Sequence, residues 1–199
     1  MCEPDMNLDE RRPTKYAARI ISAVLLTVAS VNPETEAIEG TNAVVFMFSH
    51  YALFVAGFLV SFRIFRTVRH ALIAGIFLAA IWHLPFPFAL SGASDEYRII
   101  EEITMFAAGF LVGSSVEQLT SLSKSVLFAL WIVGDSALSV IFILFPEIYS
   151  SKDISISPFP ADQFIILGVL MIFFMNSIIA IAVYVYVRQF GNLLPDLDE

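Results

Sequence analysis

Long apolar runs alternate with short polar segments along the whole chain. A helix needs about 20 residues to cross a bilayer, and six runs reach or approach that length. They cover residues 16–32, 43–62, 71–90, 99–116, 124–146 and 163–187, here numbered spans 1 to 6. The pattern predicts an all-α fold: a single integral membrane domain over residues 1–199, built as a polytopic bundle of about six transmembrane helices.

The first span has two interpretations. Arg11, Arg12 and Lys15 precede it, and Val28-Ala29-Ser30 near its end resembles a signal-peptidase site. It is therefore either a membrane helix or a cleaved signal. In both cases span 2 begins on the outer side, so the topology of the other spans is the same.

Basic residues are distributed unequally between the two sides of this topology. Cytoplasmic segments would hold nine of them: Arg11, Arg12, Lys15, Arg19, Arg63, Arg66, Arg69, Lys124 and Arg188. Outer segments would hold two, Arg98 and Lys152, together with acidic residues that include Glu39. The positive-inside rule then predicts a multi-pass protein of the cell membrane, with both termini cytoplasmic unless span 1 is cleaved.

Composition narrows the class of protein further. Hydrophobic residues make up 58% of the chain and charged residues 15%, and the formal net charge is −8. Because no basic patch is present, we expect no nucleic-acid partner. The single cysteine, Cys2, excludes an internal disulfide. No Gly-rich phosphate loop or nucleophile elbow occurs and the loops are short, so we expect the protein not to be an enzyme.

Spans 2 and 4 share a sequence pattern at an offset of 52 residues. Six residues of span 2 have identical partners at that offset: Phe54, Ala56, Gly57, Phe58, Leu59 and Val60. The offset predicts two parallel helix-hairpin repeats, spans 2–3 and 4–5, related by an axis along the membrane normal. Gly109 and Gly113 have the GxxxG spacing, which favours close helix packing and also allows a homo-oligomer.

The same offset aligns ionisable residues within the spans. It places His50 on Glu102, and His83 of span 3 on Asp135 of span 5. His50 and His83 lie about 10 Å below the outer ends of their spans. Glu101 and Glu102 lie about 3–5 Å below the start of span 4, and Asp135 about 15 Å below the end of span 5. Since isolated ionisable groups are costly in a membrane, we expect this set to meet in the outer half of the bilayer.

Such a set has three interpretations. Two imidazoles with carboxylates could bind copper, zinc or iron, and a thioether would favour Cu(I). The candidate metal ligands are His50, His83, Glu101, Glu102, Asp135 and Met47. Alternatively, the polar groups bond to one another and fix the helix bundle while Met47 packs in the core. The third interpretation is a proton relay through imidazole and carboxylate groups.

Two prolines interrupt span 3 next to its histidine, in the segment Trp82-His83-Leu84-Pro85-Phe86-Pro87. A proline has no amide hydrogen to donate to the carbonyl four residues earlier, so the carbonyls of Ile81 and His83 lose their helical partners. We expect the helix to kink or unwind beside His83. The segment then either shapes a pocket around His83 or marks the end of the helix.

Three motifs together resemble a known family: Ser49-His50-Tyr51, Trp82-His83-Leu84-Pro85, and Glu101-Glu102 followed by Met105 and Gly109. They are similar to motifs of the CtaG-type cytochrome c oxidase assembly proteins. They look closer still to an archaeal membrane family of about this length that is itself similar to CtaG. The resemblance covers roughly residues 43–115.

The resemblance implies a non-enzymatic accessory protein that assists copper insertion into a haem-copper oxidase. His50 and His83 match intramembrane histidines of that family, and Glu101 matches its glutamate. The chain departs from the pattern where the family has histidines, at Glu102 and Met47. Our leading interpretation is a copper-handling assembly factor for a respiratory oxidase or a related membrane metalloenzyme. The alternatives are a structural accessory subunit of an oxidase or monooxygenase complex and a small proton-coupled transporter.

Overall fold

The computed structural model describes residues 11–68 and 70–191. Within these ranges the chain forms eight α-helices, one 3₁₀ helix (Pro146–Tyr149) and no strand. The α-helices are α1 (Arg11–Ser30), α2 (Pro33–Glu39), α3 (Ala43–Ser61), α4 (His70–Trp82), α5 (Pro85–Ala93), α6 (Asp95–Val116), α7 (Ser121–Leu144) and α8 (Ala161–Gly191). The prediction of an all-α membrane bundle is confirmed.

Four of these helices, α3, α6, α7 and α8, are each long and apolar enough to cross a membrane. The pairs α1–α2 and α4–α5 add two more crossings if each counts as one broken span, with bends of 56° and 70°. The described residues thus contain four to six candidate crossings, in agreement with the six predicted spans.

The break between α4 and α5 lies at His83 and Leu84, where the prolines predicted it. Leu84 has an extended backbone because the ring of Pro85 disfavours a helical conformation in the residue before it. Both freed carbonyls have new partners. The carbonyl of Ile81 accepts from the amide of Leu84 at 3.2 Å. That of His83 accepts from the Tyr149 hydroxyl at 2.8 Å, so protein groups satisfy the break.

The two ends of the bundle differ in charge. The acidic end comprises the loops and helix ends within 31–42, 94–97 and 145–163. Its acidic residues include Glu34, Glu36, Asp95, Glu96, Glu147, Asp153 and Asp162. The basic end comprises residues 62–68 and 117–124 with the C-terminal part of α8, and it carries Arg63, Arg66, Lys124 and Arg188. Gln163 joins α8 to α3 at the acidic end, accepting from the Ala43 amide at 2.8 Å and donating to the Thr41 carbonyl at 2.9 Å.

Helices α3 and α6 run parallel and pack in direct backbone contact. A Cβ atom on Gly57 would overlap the carbonyl oxygen of Phe106, and one on Gly109 would overlap that of Phe54. The 52-residue offset relates Gly57 to Gly109 and Phe54 to Phe106, so the two contacts are equivalent under the repeat. The repeat is therefore present in the α3–α6 pair. It does not extend to the second helices of the two predicted hairpins, because α4 packs on α6 whereas α7 packs mainly on α8.

The apolar core lies near the acidic end and is largely aromatic. Its members include Phe46, Phe88, Phe142, Tyr149, Phe159 and Phe164, whose rings meet mostly edge-on or tilted. Met47 is fully buried in this core. Met47 therefore has the position that the packing interpretation predicted for it.

The structure corrects three positions that were assigned from hydropathy. Helix α6 begins at Asp95 instead of residue 99, because acidic side chains in a first turn complement the helix dipole. Glu101 and Glu102 therefore lie about 9–11 Å below its start, not 3–5 Å, and they reach the depth of His50. Glu39 and Arg98, assigned to outer loops, are instead helical and buried.

Candidate functional site: a buried polar cluster

An imidazole and a carboxylate meet between α3 and α6. Nε2 of His50 lies 3.1 Å from Oε1 of Glu101, and the two residues are 2% and 0% exposed. The parallel helices bring them together because each residue lies about two turns from the start of its helix. The angles are not those of a hydrogen bond, so the two ionisable groups are in contact at an ion-pair distance without a hydrogen bond between them.

His83 lies at the α4–α5 break with a defined ring orientation. Its Nδ1 is 2.6 Å from the carbonyl oxygen of Ala79. Because a carbonyl only accepts, Nδ1 carries the hydrogen and Nε2 of the neutral ring has a free lone pair. His50 and Glu101 are within electrostatic range of this ring. The preceding Trp82 is fixed by donating to the Thr104 hydroxyl of α6 at 2.8 Å.

Further polar side chains surround His50. Glu39 at the end of α2 and Glu102 of α6 interact electrostatically with each other, with His50 and with Arg98. The Ser49 hydroxyl is within hydrogen-bonding range of Glu39. We call this group the buried polar cluster; it comprises the half-buried His83 and six buried residues: Glu39, Ser49, His50, Arg98, Glu101 and Glu102.

Arg98 connects three helices within this cluster. Nη1 donates to the carbonyl of Glu36 in α2, and Nη2 donates to that of Gly92 near the end of α5, both at 3.0 Å. Carbonyls near a helix C-terminus carry partial negative charge, which a cation stabilises. The guanidinium is therefore largely occupied with backbone groups. Its closest carboxylate in an ion pair is the exposed Asp95, at 3.6 Å.

Asp135 lies apart from the buried polar cluster. The Tyr51 hydroxyl donates to its Oδ2 at 3.0 Å. The sequence predicted Asp135 as a partner of the His50 and His83 site. The structure instead pairs it with Tyr51, the residue that follows His50, because α7 packs mainly on α8.

The predicted metal ligands do not form an enclosed site. In the part of the chain that the structure describes, no three His, Cys, Asp or Glu side chains lie close enough together to hold a metal ion. His50 and Glu101 are adjacent, His83 and Glu102 are near them, and Met47 and Asp135 have other partners. The cluster thus offers two adjacent ligands, His50 and Glu101, and the imidazole of His83 as a third ligand at longer range.

Sequence reasoning missed Glu39, Ser49 and Arg98. Arg98 could have been found, because it precedes Glu101 and Glu102 by three and four residues and so shares their helix face. Glu39 carried no such signal. It is the last residue of a seven-residue helix that the hydropathy pattern does not mark.

The comparison with protein families places the chain in one of them. The model described as protein of unknown function (DUF1404) matches residues 21–190. The chain belongs to the DUF1404 family. Every residue of the buried polar cluster lies inside the segment that the DUF1404 model matches. No curated protein and no solved structure matches the chain.

Proposed function

We propose that this DUF1404 protein is a small proton-coupled membrane carrier, and that the His50–Glu101 pair is its proton-binding group. The observation that carries the proposal is the 3.1 Å distance between Nε2 of His50 and Oε1 of Glu101 at nearly complete burial. Ionisable groups inside a membrane are costly, and in pumps and carriers they form proton relays.

The charge of the buried polar cluster supports this proposal. Three carboxylates face one guanidinium, so the formal charge is −2 when both imidazoles are neutral. An uncompensated buried charge is strongly unfavourable, and uptake of protons removes it. Neither oxygen of Glu101 accepts a hydrogen bond from the described residues, which leaves both free to bind a proton.

The position of the pair supports the same function. It lies at the interface of the two repeated helices and beside a helix that is broken by 70°. Carriers commonly place their substrate and ion sites at the interface between repeats, next to discontinuous helices. The acidic end also attracts cations toward the site, because its many carboxylates outnumber its one exposed lysine, Lys152.

The test measures proton binding without a known substrate. Proteoliposomes on a solid-supported membrane receive a rapid drop in pH, and the displaced charge is recorded. Wild-type protein should give a transient current that protein-free vesicles lack. His50→Ala and Glu101→Gln should reduce the displaced charge to the protein-free level, because each removes one half of the pair.

Glu117→Gln is the matched control for Glu101→Gln. Glu117 is a partly exposed carboxylate at the basic end, paired with Arg63 at 2.9 Å. Its neutralisation should leave the displaced charge unchanged. A wild-type protein without current, or a Glu101→Gln variant with full current, would overturn the proposal.

A copper-handling accessory protein is the second candidate, favoured by the geometry of His83. A metal-bound histidine usually donates its other ring N–H to a backbone carbonyl, as Nδ1 of His83 does to Ala79. The partner would be a respiratory oxidase or a related membrane metalloenzyme. Cu(I) added to purified protein and measured after desalting should be stoichiometric in the wild type and lost in His50→Ala and His83→Ala.

The two measurements separate the functions that the sequence left open. A pH-jump current without retained copper supports the carrier, and retained copper without a current supports the assembly factor. If neither appears and oxidase or monooxygenase subunits co-purify, the protein is a structural accessory subunit. For each function we infer a cell-membrane location with the acidic end outside, from the distribution of basic residues.

A further inference from the structure

Glu39 is a buried carboxylate at the acidic end of the bundle. It is the last residue of α2 and is 1% exposed, and its Oε1 accepts no hydrogen bond from the described residues. A buried carboxylate without full hydrogen bonding is strongly unfavourable when ionised. Helix α2 is held by Asn32, whose side chain accepts from the amides of Glu34 and Thr35. Glu39 therefore has a defined position, because it is part of a capped helix.

The charged neighbours of Glu39 come from three helices. Glu36 belongs to the same helix α2, His50 to α3, and Arg98 and Glu102 to α6. Arg98 does not neutralise Glu39 through an ion pair, because its terminal nitrogens donate to the backbone carbonyls of Glu36 and Gly92. Glu39 thus has two other carboxylates, one imidazole and the Arg98 guanidinium within electrostatic range, and none of them forms an ion pair with it among the described residues.

Polar side chains lie between the acidic end of the bundle and the proposed proton-binding pair. Glu36 is partly exposed and lies one turn before Glu39 on α2. The Ser49 hydroxyl lies close to the Glu39 carboxylate, and Ser49 directly precedes His50 on α3. His50 in turn contacts Glu101.

The opposite direction is closed by backbone packing. Below the His50–Glu101 pair, the contacts of Gly57 with Phe106 and of Gly109 with Phe54 leave no space between α3 and α6. Among the described residues, the interface between these helices holds no ionisable side chain from this crossing to the basic end. The ionisable side chains of this interface therefore lie at the pair and between the pair and the acidic end.

We propose that Glu39 is the group that takes up protons at the acidic end and passes them to His50. This inference rests on the proposed function and names the route by which the pair is loaded. A hydronium ion gives its proton to the Glu39 carboxylate and leaves as water. The proton then moves to the His50 imidazole, which restores the Glu39 carboxylate and forms an imidazolium beside Glu101. Only O–H and N–H bonds are broken and formed.

The test separates the rate of loading from the amount loaded. In the pH-jump measurement, Glu39→Gln should slow the rise of the current by about 100-fold, the typical contribution of a positioned proton-transfer group. The total displaced charge should remain close to that of the wild type, because the His50–Glu101 pair is intact. A variant that only disturbed the structure would lower the total charge instead.

Glu34→Gln is the matched control, since Glu34 is an exposed carboxylate on the same helix. It should leave the rate unchanged. A Glu39→Gln rate equal to that of the wild type overturns this inference and leaves the proposed function intact. Absence of any wild-type current overturns the proposed function itself.

A measurement on the unmodified chain keeps the inference testable if Glu39→Gln does not fold. Dicyclohexylcarbodiimide reacts with protonated carboxyl groups in apolar surroundings, and mass spectrometry locates the modified residue. Modification at Glu39 should increase as the pH falls and should slow the current. No modification of Glu39 at low pH, or modification without slowing, contradicts the assignment.

Discussion

At the scale of single residues, Tyr149 shows how a helix break inside a membrane protein is satisfied. Pro87 leaves the carbonyl of His83 without its helical partner, and the Tyr149 hydroxyl donates to that carbonyl at 2.8 Å. Burial raises the pKa of Tyr149 to about 12, so the hydroxyl remains a donor across the physiological range. Tyr149 thereby connects the 3₁₀ helix to the α4–α5 break and fixes the backbone beside His83.

Tyr149→Phe should lower the free energy of unfolding in detergent by about 1–2 kcal/mol, because it leaves a carbonyl without a donor. The matched control is Tyr97→Phe, since Tyr97 is exposed. In the wild type this contribution should persist up to about pH 10 and be lost as the pH rises through about 12, since the pKa is raised in the folded state. Equal effects of the two substitutions would contradict the assigned role.

The sequence predicted part of the site at this scale. His50, His83, Glu101 and Glu102 are exceptional within apolar runs, and the structure brings them together. Glu39 and Arg98 were assigned to loops because hydropathy reports only the average polarity of a segment. Their burial depends on how α2 folds back over α3, and that contact is not encoded in any local pattern.

At the scale of helices, the α3–α6 pair is the structural centre of the bundle. Glycines at matching positions let the two backbones touch, and the contacts exchange under the 52-residue offset. Close backbone approach through small residues is a main source of helix association in membranes. This pair also places His50 and Glu101 at the same depth, so its packing determines the geometry of the site.

Gly109→Ala should destabilise the protein by about 1–3 kcal/mol, because the added methyl group overlaps a backbone carbonyl that cannot move away easily. Gly134→Ala is the matched control, since Gly134 lies in a helix with open space around its α-carbon. It should be neutral or slightly stabilising, since alanine favours helix over glycine. Thermal unfolding in detergent compares the two variants, and a larger loss for Gly134→Ala would exclude the packing argument.

Helix positions were well predicted and helix partners were not. Apolar runs and the two prolines indicated the spans and the break in span 3, because both signals are local. The similarity of spans 2 and 4 indicated that α3 and α6 are related, and the structure shows them in contact. The packing of α7 on α8 depends on long-range contacts, so the predicted hairpin repeat was incomplete.

At the scale of the whole molecule, charge divides the bundle into two ends. Carboxylates dominate one end, and arginines and lysines the other. The burial of Arg98 leaves Lys152 as the single basic residue at the acidic end within the described ranges. The asymmetry on which the predicted orientation depends, with the basic end in the cytoplasm, is therefore kept in the structure as a difference in surface charge between the two ends.

Labelling of single cysteines tests this orientation. In a Cys2→Ser background, Lys152→Cys should react with a membrane-impermeant maleimide on intact cells, because Lys152 is exposed at the acidic end. Lys124→Cys, exposed at the basic end, should react only after the cells are permeabilised. The reverse pattern would place the acidic end in the cytoplasm.

The glycine crossing of α3 and α6 constrains how the molecule can work as a carrier. Because their main chains are in contact, we expect these two helices to move together as one strut. In the proposed carrier, the motion then comes from the elements around this strut. The α7–α8 hairpin is suited to it, because it packs on itself more than on the rest of the bundle. Cross-linking that hairpin to α3 should stop turnover while the strut remains unchanged.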